Sequence, residues 1–142
     1  MRLPFIVVLL GYAGLIPFVI GPAWLAFSPE TAPEWLDAAW AGYVTLLAAF
    51  LAGTFWGFAL PAIEGPNGML GVFIASALLL LTWVTMVIAS VWQLYLLSLV
   101  FMLQLVADYW RERTLDTIPG YFRLRATLTV GAIASIGWFL AL

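Results

Sequence analysis

The amino-acid sequence predicts an all-α membrane protein, a bundle of five transmembrane helices, and three observations carry that expectation. Hydrophobic residues make up 65% of the 142 and charged residues 8%, against roughly 45–50% and about 25% in soluble domains. A chain of this size has too little interior to hide that much hydrocarbon from water, so lipid is its expected solvent. Second, the apolar residues fall into five stretches, each about 20 residues or longer, enough to cross a hydrocarbon core about 30 Å thick. Third, seven of the twelve charged side chains lie in one stretch, Asp108 to Arg125, which holds four of the five arginines. The whole of 1–142 reads as a single integral membrane domain.

The first segment, about residues 3–27, continues too long for a secretory h-region and ends in bulky residues, so it reads as a retained span. Pro17 predicts a kink within it, and Gly11 and Gly14 predict close approach of another helix. Thr31 and Glu34 have capping-box spacing, with Pro33 between them, which predicts a second helix over about 32–60. Trp35 and Trp40 fall in its first turns, where amphipathic indoles settle at a membrane interface. This segment carries a ladder of small residues, with Ala49, Gly53 and Gly57 spaced by four. Small residues let helix backbones close up and gain dispersion contacts, so the ladder is expected to pack a neighbouring helix of the same chain. A homodimer or partner interface is the alternative.

The breaker-rich Pro61–Gly68 turn leads to a plain aliphatic third segment, about 69–89. Ser90 and Gln93 form a second capping box, so the fourth segment, about 91–110, follows after one or two residues as an antiparallel hairpin. Gln93, Gln104, Asp108 and Arg111 share one face of it, because eleven residues return a helix to within about 20°. Pro119-Gly120 ends the arginine-rich loop, and the fifth segment runs over about 121–142, with Gly131 and Ser135 as another small pair. Arg125 lies about a turn into that last helix, at the depth of Asp108. Two charges at the edge of hydrocarbon are held most simply as a pair, with Gln104 and Thr129 completing the hydrogen bonds. The alternative sends Arg125 to lipid headgroups and Asp108 to water. Arg111, Arg113 and Arg123 are expected to set topology and touch anionic lipid.

The residue types that are missing remove whole classes of chemistry. The chain has no cysteine, histidine or lysine. Thiolate nucleophiles, iron–sulfur clusters, imidazole-bound metals, Ser–His pairs and Schiff bases therefore have no residue to build on. No enzyme activity, metal or cofactor is expected, and a net charge of −2 gives no reason to invoke nucleic acid.

Several fragments together resemble a family of small membrane proteins grouped as domain of unknown function 3429, with transmembrane protein 69-like proteins as its mitochondrial branch. They are Gly11-Tyr-Ala-Gly14-Leu-Ile-Pro17-Phe18, Tyr43, Phe50-Leu-Ala-Gly53-Thr-Phe-Trp56-Gly57, Asp108, and Pro119-Gly-Tyr121-Phe-Arg-Leu-Arg125-Ala-Thr-Leu-Thr129. The chain departs from the family pattern at Phe55, where a polar or basic residue is typical, and at Ala49, often Ser. The resemblance implies a multi-pass protein of an inner membrane, bacterial or mitochondrial in type, and no reaction. The expected function is a non-catalytic accessory, structural or assembly subunit of a larger membrane complex, with energy-transducing complexes among the candidates. Its partners would be membrane lipids and other membrane subunits or a second copy of itself. The alternative is a small binding protein or transporter for an apolar molecule such as a quinone or lipid.

Five spans put all five arginines on one side of the membrane, which the positive-inside rule makes the cytoplasmic side. Trp24, Trp35, Trp92 and Trp138 would line the outer interface and Trp110 the inner one. Reporter fusions should find the C-terminus outside and residues 112–118 in the cytoplasm; a cytoplasmic C-terminus would overturn the five-span count.

Overall fold

The computed structural model describes residues 4–88, 90–115 and 119–142, without the side chains of residues 90 and 91. Six α-helices follow in order: α1 (Phe5–Ala13), α2 (Ile16–Phe27), α3 (Leu36–Ala59), α4 (Pro66–Thr85), α5 (Ser90–Thr114) and α6 (Tyr121–Ala141), with short 3₁₀ turns at Pro29–Thr31 and Leu60–Ala62. α1 and α2 make one span, Phe5–Phe27, so the described residues hold five helices long and apolar enough to cross a membrane, and no strand. Arg2, the Ser90 hydroxyl of the second capping box and residues 116–118 lie outside the described residues.

The prolines of the first span decide how it meets α3. The helix breaks at Gly14-Leu15, leaving Pro17 in the first turn of α2, where its missing N–H costs little. Tyr43 Oη of α3 donates to the Gly14 carbonyl at this break, 2.6 Å away. Pro22 lies deeper in α2 and deprives the Phe18 carbonyl of its usual donor four residues on. Trp40 Nε1 replaces it at 3.0 Å. Gly21 makes room, since a Cβ there would stand 2.5 Å from Trp40 Cδ1. Phe139 of α6 stacks on the other side of the indole, with centroids 4.3 Å apart. Trp40 is therefore buried at 4% exposure rather than placed in an interfacial belt. Its N–H is needed inside, while Trp35 and Trp92 are exposed as a belt requires.

The acidic connection also differs from expectation. α3 begins at Leu36 rather than near Ala32, and no side chain caps it. Thr31 does not cap; it donates to the Ser28 carbonyl and accepts from Trp24 Nε1, each at 3.0 Å. Pro33 disfavours helical backbone at the residue before it, and Ala32 is accordingly extended at ψ 126°. At the other end, α5 runs a turn past the expected stop at Trp110, to Thr114. Gly120 enters α6 with φ 85°, a left-handed conformation that glycine adopts without penalty.

α3 lies against α2, α4 and α5, and α6 lies against α1, α2 and α5. Phe18, Trp40, Val44, Ala48, Leu51, Leu97, Phe101, Ala132 and Ile136 form the larger core where α2, α3, α5 and α6 converge. Ala52, Phe55, Ala75, Leu78 and Ala107 form a second one between α3, α4 and α5. Phe55, at a position where the resemblance leads one to expect a polar residue, is fully buried there.

The small-residue ladder does not pack within the chain. No neighbouring atom lies within 4 Å of where a Cβ would stand at Gly42, Gly53 or Gly57. The inward face of α3 is the one bearing Val44, Ala48, Leu51, Ala52 and Phe55, whose burial outweighs close backbone approach. Close approach instead uses other glycines. A Cβ would meet Leu124 Cδ1 at 2.9 Å from Gly11, Ala59 Cβ at 2.8 Å from Gly71 and Leu15 Cδ2 at 2.7 Å from Gly131.

Gly21→Ala should therefore cost about 1–3 kcal/mol by overpacking against Trp40. Gly53→Ala should stay within about 0.5 kcal/mol of the parent. Unfolding of both variants in mild detergent measures the difference; equal losses would contradict this assignment of inner and outer glycines.

Candidate functional site

Four charged or strongly polar side chains meet where the ends of α3, α5 and α6 converge. Gln104, Asp108 and Arg111 project from one face of α5, and Arg125 comes from the second turn of α6; all four are buried. Arg125 Nε donates to Asp108 Oδ2 at 2.9 Å. Its Nη2 donates to the Leu51 carbonyl of α3, also at 2.9 Å. Its Nη1 donates to Thr54 Oγ1 and, at 3.2 Å, to Tyr121 Oη. Thr54 in turn donates to the same Leu51 carbonyl at 2.9 Å, closing a ring of bonds. One guanidinium thus ties α6 to both α3 and α5.

The structure brings Asp108 and Arg125 together and changes the supporting cast. Gln104 is buried one turn before Asp108 but turns to α3, where Nε2 donates to the Ala48 carbonyl at 3.2 Å. Thr129 is fully buried, yet its hydroxyl has no hydrogen-bond partner among the described residues. Thr54, Tyr121 and the Leu51 carbonyl occupy the places assigned to Gln104 and Thr129. Periodicity put Gln104 and Thr129 at the right depth; it carried no information on which α3 groups would face α6. Tyr121 had one legible signal, its position four residues before Arg125, which makes the two neighbours on a helix surface.

Arg111 corrects the expectation that it touches anionic lipid. It is buried, 3.8 Å from Asp108 Oδ1, with its guanidinium 4.8 Å from the centre of the Phe58 ring and 5.3 Å from that of Tyr121. The extra turn of α5 is the reason, because it keeps Arg111 helical and on the inward face three residues after Asp108. Glu112 Oε2 lies 3.8 Å from Arg111 on the more open side. Arg113 and Arg123 are exposed, and Arg113 folds back onto the Tyr109 ring. Gln93 lies apart from the cluster, with Nε2 3.5 Å from Thr45 Oγ1.

A cavity of about 410 Å³ opens beside the cluster, between α1, α3 and α6. Its walls are apolar, from Leu10, Leu47, Phe50 and Leu128 among others, and Thr54, Tyr121 and Arg125 supply its polar groups. Among the described residues no three His, Cys, Asp or Glu side chains group to hold a metal. Asp108 faces two guanidiniums, an arrangement that holds charge in place rather than relaying protons, because arginine stays protonated.

A helical bundle with five segments long and apolar enough to cross a membrane, tied internally by a buried arginine–carboxylate cluster, is the class of protein that fold and site define. Residues 3–141 match the family model described as protein of unknown function (DUF3429), and the chain belongs to that family. Neither the curated proteins nor the solved structures contain a match.

Removing one partner of a buried ion pair strands the other charge, which costs about 3–5 kcal/mol. Asp108→Ala and Arg125→Ala should each destabilise on that scale, and the double variant should lose clearly less than the sum. Additive losses in that thermodynamic cycle would show that the two side chains do not depend on each other.

Proposed function

We propose that this protein is a non-catalytic accessory subunit of a larger complex in an inner membrane of bacterial type, docking a partner's transmembrane helix on the outer face of α3. The observation that supports this most is the unfilled glycine face. Gly11, Gly21, Gly71 and Gly131 each lie under a side chain of another helix, whereas Gly137 of α6 is a single open glycine. Gly42, Gly53 and Gly57 have the same character and no contact, and exposed Leu46 and Phe50 stand between them as ridges. In lipid, such a groove gains dispersion contacts when a second helix fills it. The residue types present favour the same reading, since the titratable groups of the cluster are engaged in holding helices together.

The partner is a helix of another subunit, with a second copy of this chain as the alternative. Photo-crosslinkers placed at Leu46 and at Val106 in native membranes separate these outcomes. Capture of one defined subunit from Leu46 but not Val106, abolished by Gly53→Leu and Gly57→Leu while the purified chain keeps its stability, is the expected result. Capture of this chain alone would make the face a homodimer interface. Equal labelling from both positions, or capture unaffected by the leucines, would overturn the docking face.

A further inference from the structure

We infer that the cavity between α1, α3 and α6 is a binding site for a single-chain anionic amphiphile, with its acyl chain in the cavity and its acidic head against Tyr121 and Arg125. The inference does not rest on the docking role proposed for α3, although Phe50 borders both surfaces.

Size and shape come first. A volume of about 410 Å³ falls in the range of roughly 300–1,000 Å³ typical of small-molecule sites. Gly11 of α1 and Gly14 just after it form part of its wall, opposite Leu47, Phe50 and Leu51 of α3 and Leu124 and Leu128 of α6. Its walls offer hydrocarbon along most of their extent, which suits an acyl chain and rejects a soluble metabolite.

The polar end then selects the head. Arg125 Nη1 uses the oxygens of Thr54 and Tyr121 as acceptors, and Thr54 spends its own proton on the Leu51 carbonyl. The Tyr121 hydroxyl accepts from Arg125 and keeps its proton to donate. A ligand reaching this end therefore meets donors, and its head must accept.

Charge favours an anion over a neutral carbonyl. Asp108 is shared between two guanidiniums, Arg125 at 2.9 Å and Arg111 at 3.8 Å, and both lie over the Tyr121 ring, at 5.7 and 5.3 Å. The carboxylate of Glu112, which meets Arg111 from the other side, is one-third exposed, so water screens it. Formally the two carboxylates balance the two guanidiniums, but of the four only Arg125 lines the cavity, so the charge nearest the head is positive and acts through a low dielectric. A fatty-acid carboxylate and a lysophospholipid phosphate share this chemistry.

Palmitate, lysophosphatidate and hexadecanol, each carrying a photoreactive diazirine on the chain, are offered to the full-length protein in neutral detergent. The expected result is a saturable one-to-one adduct with palmitate or lysophosphatidate. Labels should fall on cavity residues such as Leu47 and Leu128, and hexadecanol should label at least about tenfold less. The stronger of the two anionic probes identifies the source of the head. Tyr121→Phe removes the donor while leaving the Asp108–Arg125 pair, and should weaken labelling about tenfold, the worth of a hydrogen bond to a charged group. Leu47→Trp fills the cavity and should abolish the adduct, with unfolding in detergent confirming that both variants remain folded. Label spread evenly over lipid-facing residues such as Phe73 and Leu80 would show annular detergent exchange and overturn the site. So would equal labelling by hexadecanol, or an adduct unchanged in both variants.

Discussion

The arrangement of the bundle turns on the guanidinium of Arg125. α6 packs against α1, α2 and α5, and reaches α3 through long side chains. Arg125 makes that reach near one end, bonding Asp108 of α5 and the Leu51 carbonyl of α3 at once. Near the other end, Phe139 reaches Trp40 by stacking. A buried charge is costly unless its donors are matched; Arg111 relies on ion pairs and ring faces, whereas Arg125 matches its own donors by collecting acceptors from three helices. Its requirements thus fix the relative position of α3, α5 and α6 more sharply than apolar packing alone, which many rotations of a greasy helix would satisfy.

The same spacing has a consequence for the space beside the cluster. Because α6 touches α3 by side chains rather than by backbone, a gap remains next to Arg125, bordered by α1. A structural tie and a binding pocket with a donor-bearing end are in this way two results of one geometry. Trp40 shows the equivalent trade at the other end of the span, where Pro22 removes a backbone donor and an indole from α3 restores it, drawing α2 and α3 together.

Two of the corrected readings show why pattern falls short. Gly53 and Gly57 were legible as a helix-association motif, but a motif of small residues states only that something can come close. In the structure Val44, Leu51 and Phe55 face inward and the glycines lie on the other side of α3. Arg111 was legible as a basic residue at a membrane edge. Its burial depended on one more turn of α5 and on Phe58 and Tyr121 being at hand to cover its guanidinium.

By itself the sequence determined that the chain is helical with five segments long and apolar enough to cross a membrane, since helices satisfy the backbone of such stretches internally. It also determined that Asp108 and Arg125 stand at one depth, because helical rise converts sequence position into height. Only the tertiary structure decided that Thr54, Tyr121 and the Leu51 carbonyl complete that pair, that Gln104 turns to Ala48 instead, and that the glycine face of α3 is outward. Those outcomes depend on how each helix is rotated about its axis, and in spans apolar on all sides the pattern leaves rotation nearly free. Packing volume and the demand for hydrogen-bond partners across helices settle it, and both exist only once the helices are assembled.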